Sequence, residues 1–305
     1  MEGRVVKLGP GPVPLPQRLR VVYRIATNIR RLSLFDTDDP SAAQLSTTSL
    51  VKFALSRCGR ALFLLAAFWL GNALMAKTMF VLHIIPSDFD QNKQALLSPI
   101  GLRDICLRSV MSVSWIWSSY SLLTSSHDLL AVLFVSVIRW DRPNEWPPLF
   151  GSITNVTSLR RFWGVFWHRL HVSLFDSHSA TNPQHMQLPS HQQYSHNHHA
   201  LQKTARALGM FCMSAACHAA SNWVVMGRAS VVGEFRFFIS NWFICLLETV
   251  IDRFAMRRLF PRDSMLAALW KRLLGYIWTM LVIVCLTPAW QYPVVRASAG
   301  FHSKD

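Results

Sequence analysis

Five long apolar runs divide the chain, and polar or basic segments separate them. A helix that crosses a bilayer needs about 20 predominantly apolar residues. Runs of this kind predict an all-α, multi-pass membrane protein with about five to seven transmembrane helices. The predicted spans are residues 61–85, 109–138, 205–226, 237–251 and 273–290.

The pattern also predicts how the chain is organised. Residues 1–60 are basic and Pro-rich, lack a signal-peptide pattern and predict a cytosolic N-terminal segment. Residues 61–293 form the predicted transmembrane domain, and 294–305 a tail. The second apolar run is interrupted by SSHD at 125–128, so it predicts either one long tilted helix or two shorter pieces.

Composition and charge support this class. The chain is 51% hydrophobic and only 15% charged, with a net charge of +15, whereas soluble proteins have about 25% charged residues. The basic residues lie between apolar runs rather than along one patch, which excludes nucleic acid as a partner and favours the lipid bilayer. Segments 1–60, 139–170 and 252–272 are the richest in Lys and Arg, which indicates a cytosolic N-terminus.

Residues 158–175 (SLRRFWGVFWHRLHVSLF) have a strongly amphipathic pattern. On a helix, aromatic and Leu side chains fall on one face, and Arg and His fall opposite. Such a helix belongs at a membrane surface, so we expect an interfacial amphipathic helix. His168 and His171, on its polar face, are either site residues or histidines at the level of the lipid headgroups.

His218 is the sharpest candidate for chemistry, because an ionisable residue inside a predicted span indicates a functional site. Ser214 lies one helical turn before it and Asn222 one turn after it. The alternative is a histidine that is hydrogen-bonded between helices for packing alone. Glu248, in the fourth span, is likewise either functional or a carboxylate at the membrane interface.

Histidines are frequent in residues 176–203, which predict a polar loop. The run HNHH at 196–199 resembles a trap for metal cations. No predicted span carries the repeated His, Asp or Glu ligands that a metal path would need. We therefore expect no metal site.

Two motifs together resemble the fungal wax-synthase-like branch of the membrane-bound O-acyltransferase superfamily. WPPLFGS (146–152) followed by SLRRFWGVFWH (158–168) is similar to that branch's signature of Trp-x-x-x-Phe and Ser-Leu-Arg-x-Phe-Trp-Gly-x-x-Trp-His. FCMSAACH (211–218) is similar to the family's Phe-x-x-Ser-Gly-x-x-His, which holds its nearly invariant membrane histidine. An aromatic pair leading to Glu248 is a weaker match. The motif core is about 140–250, and Ala215 stands where the family usually has Gly.

The resemblance implies an acyl-CoA-dependent O-acyltransferase with His218 as the catalytic base. His168, or alternatively His171, is then the second polar catalytic residue. Ser214, Asn222 and Glu248 are possible supporting residues. The resemblance also places three arginines where the phosphates of coenzyme A arrive, with anionic lipid as their alternative partner: Arg160, Arg161 and Arg169.

The Trp-His pair at 167–168 resembles the fungal branch rather than plant wax synthases, which commonly have Trp-Asn there. It implies acetyl-CoA as co-substrate, no bound cofactor, and a terpenoid or meroterpenoid alcohol as acceptor. Two alternatives remain: a wax synthase that acylates long-chain alcohols, and a non-catalytic transporter or scaffold. We expect an integral membrane protein of the endoplasmic reticulum.

Overall fold

The computed structural model describes Leu19 and residues 47–94, 101–168, 195–226, 231–252 and 265–298. Six α-helices form most of these described residues. Within these ranges the chain has no β-strand, and the predicted all-α class is confirmed. The helices are α1 (Thr47–Val81), α2 (Leu102–Ala131, continued by a π-helical segment, Val132–Val137), α3 (Leu159–Arg161, continued by a π-helical segment, Phe162–Phe166), α4 (Ser195–Met226), α5 (Val231–Ile251) and α6 (Met265–Ser298). Short 3₁₀ helices occur at Pro86–Phe89, Gln91–Gln94, Pro143–Glu145 and Ile153–Asn155.

Three of these helices are long and apolar enough to cross a membrane, by length and composition: Thr47–Val81, Leu102–Val137 and Leu269–Arg296. Each predicted span lies largely within one of the five long helices, but the observed bounds differ. Helix α1 begins inside the segment predicted as an N-terminal lead-in, α4 begins inside the predicted His-rich loop, and α6 runs on into the predicted tail. Hydropathy marks the apolar centre of a helix better than its polar ends, which accounts for these differences.

Helix α2 runs through SSHD without interruption and so decides between the two alternatives for the second apolar run. Two of the polar side chains in this stretch bond to α1. Asp128 is fully buried and accepts a hydrogen bond from Arg57 Nη1 at 2.7 Å and others from Arg60. Ser125 Oγ donates to the carbonyl oxygen of Ala61 at 3.3 Å. Because α1 supplies these partners, the helix needs no break there.

Helices α4 and α5 pack side by side in opposite directions. Trp242 Nε1, just past the middle of α5, lies 3.4 Å from the carbonyl oxygen of Thr204, in the first third of α4. At the other end of the pair, Asn222 Nδ2 donates to Glu234 Oε1 at 2.5 Å. The largest buried cluster of apolar side chains joins α3, α4, α5 and α6 at this pair.

The amphipathic segment differs from the prediction in length and in surroundings. Its helix ends at Phe166, and Trp167 has an extended backbone. The apolar face packs into the protein, because Leu159, Phe162 and Phe166 are each at most 5% exposed. Residues 169–175 lie outside the described residues. An amphipathic pattern shows which face avoids water, but not whether lipid or protein covers that face.

Candidate active site

Helix α3 starts at a carboxylate that comes from α5. Glu248 Oε1 accepts a hydrogen bond from the backbone N–H of Leu159, and Oε2 accepts one from that of Arg160, both at 2.9 Å. Ser158 Oγ accepts from the backbone N–H of Arg161 at 3.1 Å. The first N–H groups of a helix have no partner within the helix and favour a negative charge. Glu248 therefore fixes where α3 begins.

A second contact with α5 holds the middle of α3. Trp163 Nε1 donates to Asn241 Oδ1 at 3.0 Å, and Asn241 Nδ2 donates to the carbonyl oxygen of Phe237 at 2.9 Å. Asn241 is fully buried. With both groups of its amide bonded, Asn241 presents a single orientation to the tryptophan.

The end of α3 lies against the loop that precedes it. The backbone N–H of Gly151 donates to the carbonyl oxygen of Phe166 at 2.9 Å. A Cβ atom at Gly151 would lie 2.2 Å from the carbonyl oxygen of Val165. The two backbone segments approach this closely only because residue 151 has no side chain.

A cavity of about 550 Å³ lies between α3, α4 and α5, a volume in the usual range of small-molecule sites. His168 and His218, fifty residues apart in sequence, both line it. The other lining residues are Arg160, Trp163, Gly164, Trp167, Lys203, Thr204, Ala207, Met210, Phe211, Ser214, Phe238, Trp242, Cys245, Leu246, Thr249 and Val250.

The imidazole of His218 is held between aromatic rings. It stacks on Phe238, with ring centres 5.1 Å apart and an angle of 30° between the planes. Trp290 of α6 meets it edge to face at 5.5 Å and 89°. Ser214, one turn earlier, donates through Oγ to the carbonyl oxygen of Met210 at 3.0 Å. His218 is only partly buried and keeps one side towards the cavity.

Two cations mark another part of the cavity wall. Arg160 and Lys203 line it and are both exposed. Lys203 and His218 are fifteen residues apart on α4, or about 22 Å at 1.5 Å per residue. The cavity is therefore elongated, with positive charge towards one end and His218 towards the other.

The structure places the predicted site residues in different roles. His218, His168, Ser214 and Arg160 are brought together at the cavity. Arg161 is exposed and is not among the lining residues. Two predicted residues, Arg169 and His171, lie outside the described part of the chain.

The two remaining candidates, Asn222 and Glu248, contact neighbouring residues rather than the cavity. Asn222 bonds to Glu234, and Glu248 bonds to the start of α3. Among the described residues, no group of three His, Cys, Asp or Glu side chains is placed to hold a metal ion.

Sequence reasoning missed a polar stripe on α5 formed by Glu234, Asn241 and Glu248. These residues recur every seven positions and therefore share one face of the helix. Each accepts an indole N–H: from Trp290 at 2.6 Å, from Trp163 at 3.0 Å and from Trp278 at 2.9 Å, respectively. The seven-residue spacing inside an apolar helix was a signal that could have shown this stripe.

The chain resembles known proteins in the region that builds this site. Residues 146–240 match the membrane bound O-acyl transferase family, which confirms the resemblance predicted from the motifs. The chain is 29% identical over 189 residues to the acetyltransferase atnC of an Arthrinium species, covering 62% of this chain and 41% of that protein. It is 27% identical over 188 residues to the acetyltransferase nanB of Aspergillus nanangensis, covering 60% and 43%.

A third relative is the acetyltransferase ataH of Aspergillus terreus, which is 30% identical over 162 residues, or 51% of this chain and 48% of that protein. The matched regions thus span less than half the length of these three relatives. No solved structure matches the chain at a significant level.

Proposed function

We propose that this chain, whose residues 146–240 match the membrane bound O-acyl transferase family, transfers an acetyl group from acetyl-CoA to a hydroxyl of a lipophilic acceptor. One observation carries the proposal: a single elongated cavity is lined by both His168 and His218. Each of these histidines belongs to one of the two motifs that resemble the family.

His218 acts as the general base. Its imidazole takes the proton from the acceptor hydroxyl as that oxygen attacks the thioester carbonyl carbon. A C–O ester bond forms, the C–S bond breaks, and the proton passes to the departing sulfur, which leaves as the thiol of coenzyme A. His168 donates a hydrogen bond to the negative charge that develops on the carbonyl oxygen.

The donor enters at the cationic end of the cavity. Arg160 and Lys203 are exposed there and suit the phosphates of coenzyme A. The arm of acetyl-CoA that ends in the thioester then extends along α4 towards His218, over a distance of about 22 Å. Lys203 adds a cation to the three arginines that the motif resemblance implies.

The terpenoid or meroterpenoid acceptor is proposed from the motif resemblance alone, whereas two observations support the acetyl donor. Several curated relatives from fungi are named acetyltransferases. Phe238 and Trp290 pack on His218 and restrict the space beside it. A long acyl chain would need a continuous channel past these rings. We also propose that the protein lies in the endoplasmic reticulum, and the distribution of basic residues supports a cytosolic N-terminus.

A donor competition in membranes tests this function. Radiolabelled acetyl-CoA and palmitoyl-CoA are each offered with a terpenoid alcohol and with a fatty alcohol. We expect the larger kcat/KM for acetyl-CoA with the terpenoid alcohol. A larger value for palmitoyl-CoA with the fatty alcohol would identify a wax synthase, and no transfer from either donor would contradict an acyltransferase.

His218→Ala should lower kcat by about 10²- to 10⁴-fold, the usual cost of losing a general base. His83→Ala is the matched control, because His83 is exposed and lies after α1, away from the cavity. A His218→Ala variant with more than a tenth of wild-type activity would reject His218 as the base.

His168→Ala should impair transfer more than His171→Ala does. The reverse order would assign the second polar role to His171.

A further inference from the structure

Glu234 is a buried carboxylate that the proposed reaction does not use. It lies in the first turn of α5 and is 1% exposed. Its Oε1 accepts a hydrogen bond from Asn222 Nδ2 at 2.5 Å, and its Oε2 accepts one from Trp290 Nε1 at 2.6 Å. A buried carboxylate is costly unless such donors surround it, so these two bonds hold their partners firmly in place.

Trp290 links Glu234 to the cavity. Its indole is buried, stacks on Phe237 at 4.4 Å and 22°, and meets the imidazole of His218 edge to face. Phe238 covers another face of the same imidazole. Two aromatic neighbours thus restrict the orientation of the His218 ring, and the indole of one of them is fixed by its N–H bond to Glu234.

We propose that Glu234 is a positioning residue for His218 and acts through Trp290. A carboxylate suits this role because it has two acceptor oxygens for two N–H donors, whereas an amide has one acceptor oxygen and adds a donor of its own. Without the bond from Trp290 Nε1, the indole turns more freely, and the imidazole is less restricted on the side where the indole packs. The catalytic consequence rests on the proposed function, but the packing consequence does not.

Kinetics of Trp290→Phe and Glu234→Gln test the catalytic consequence. Trp290→Phe keeps an aromatic ring and removes only the N–H and the second ring. We expect kcat to fall about tenfold with the KM for acetyl-CoA within about twofold of wild type, because small misplacements of a catalytic group cost up to about 10²-fold. The matched control is Trp117→Phe, which removes another indole N–H bond, to the carbonyl oxygen of Ala67, away from the cavity.

The double variant shows whether the two residues act together. If Glu234 acts through Trp290, Glu234→Gln lowers kcat in the wild-type background and has little further effect when residue 290 is already Phe. If Glu234→Gln lowers kcat by the same factor in both backgrounds, the proposal is overturned. An unchanged kcat in both single variants of an active enzyme also overturns it.

Chemical modification of His218 gives a readout that needs no enzymatic activity. Diethyl pyrocarbonate modifies exposed imidazoles, and mass spectrometry follows the peptide that carries His218. We expect modification to be at least about threefold faster in Trp290→Phe and in Glu234→Gln than in wild type, and unchanged in Trp117→Phe. Unchanged rates in the first two variants overturn the positioning role. If the wild type transfers no acyl group, the proposed function fails by itself, and these rates still decide whether Glu234 orients the ring.

Discussion

The contact between Gly151 and the end of α3 yields the sharpest prediction from the structure. In Gly151→Ala, the new Cβ would lie 2.2 Å from the carbonyl oxygen of Val165 and 3.1 Å from its carbonyl carbon. Real Cβ atoms do not come within 3.0 Å of such atoms. The two backbone segments must therefore separate by at least about 0.8 Å.

That displacement reaches the proposed site directly. Val165 is three residues before His168, and the backbone N–H of Gly151 bonds to the next carbonyl group, that of Phe166. A shift of about 1 Å at a catalytic group can cost about 10²-fold in rate, and overpacking a close contact costs about 1–3 kcal/mol. We expect Gly151→Ala to lower kcat/KM for acetyl transfer by about 10- to 100-fold and to lower the Tm of the detergent-solubilised protein.

Both quantities are measured against Gly59→Ala. Gly59 lies exposed in α1, and no atom lies within 4 Å of the position that an added Cβ would take. Alanine there should leave activity unchanged and stabilise the helix by about 0.5–1 kcal/mol. A Gly151→Ala variant with wild-type Tm and wild-type kcat/KM would refute the close approach of the two backbone segments.

Two further substitutions test the contacts that hold α3 and α2. Glu248→Ala removes the acceptor for Leu159, Arg160 and Trp278, and we expect kcat/KM to fall about tenfold or more. Glu248→Gln should be less impaired, because one acceptor oxygen remains. If both variants were as active as the wild type, Glu248 would not cap α3. Asp128→Ala leaves two arginines of α1 without their buried carboxylate. We expect the free energy of unfolding to fall by about 3 kcal/mol, which is at the low end for a buried pair because one arginine is partly exposed. An unchanged midpoint of denaturation in detergent would contradict this expectation.

The sequence alone determined the positions of the long helices and the identity of the main site candidates. Hydropathy is a local property, so an apolar run shows a helix without knowledge of its neighbours. The motifs containing His168 and His218 could be recognised in the same way, since their spacing along the chain is itself the signal. These predictions needed no information about which segments meet.

The motif resemblance paired these two histidines, but neither periodicity nor spacing showed that they line one cavity. They are fifty residues apart, and only the packing of α3 against α4 and α5 brings them to the same cavity. The same packing corrected the surroundings of the amphipathic segment. It was predicted as a helix at the membrane surface, but protein covers its apolar face, and a helix packed on lipid or on protein has the same periodicity.

The tertiary structure alone decided the roles of the polar residues on α5. Glu248 was a candidate for chemistry, yet it bonds to backbone groups 88 and 89 residues away and starts α3. Glu234 was not a candidate, yet it holds Trp290, 56 residues away, against His218. The physical reason is that a side chain's role depends on which donors fold towards it. The seven-residue spacing of these acceptors is visible in the sequence, but their donors lie far away along the chain, so only the folded chain identifies them.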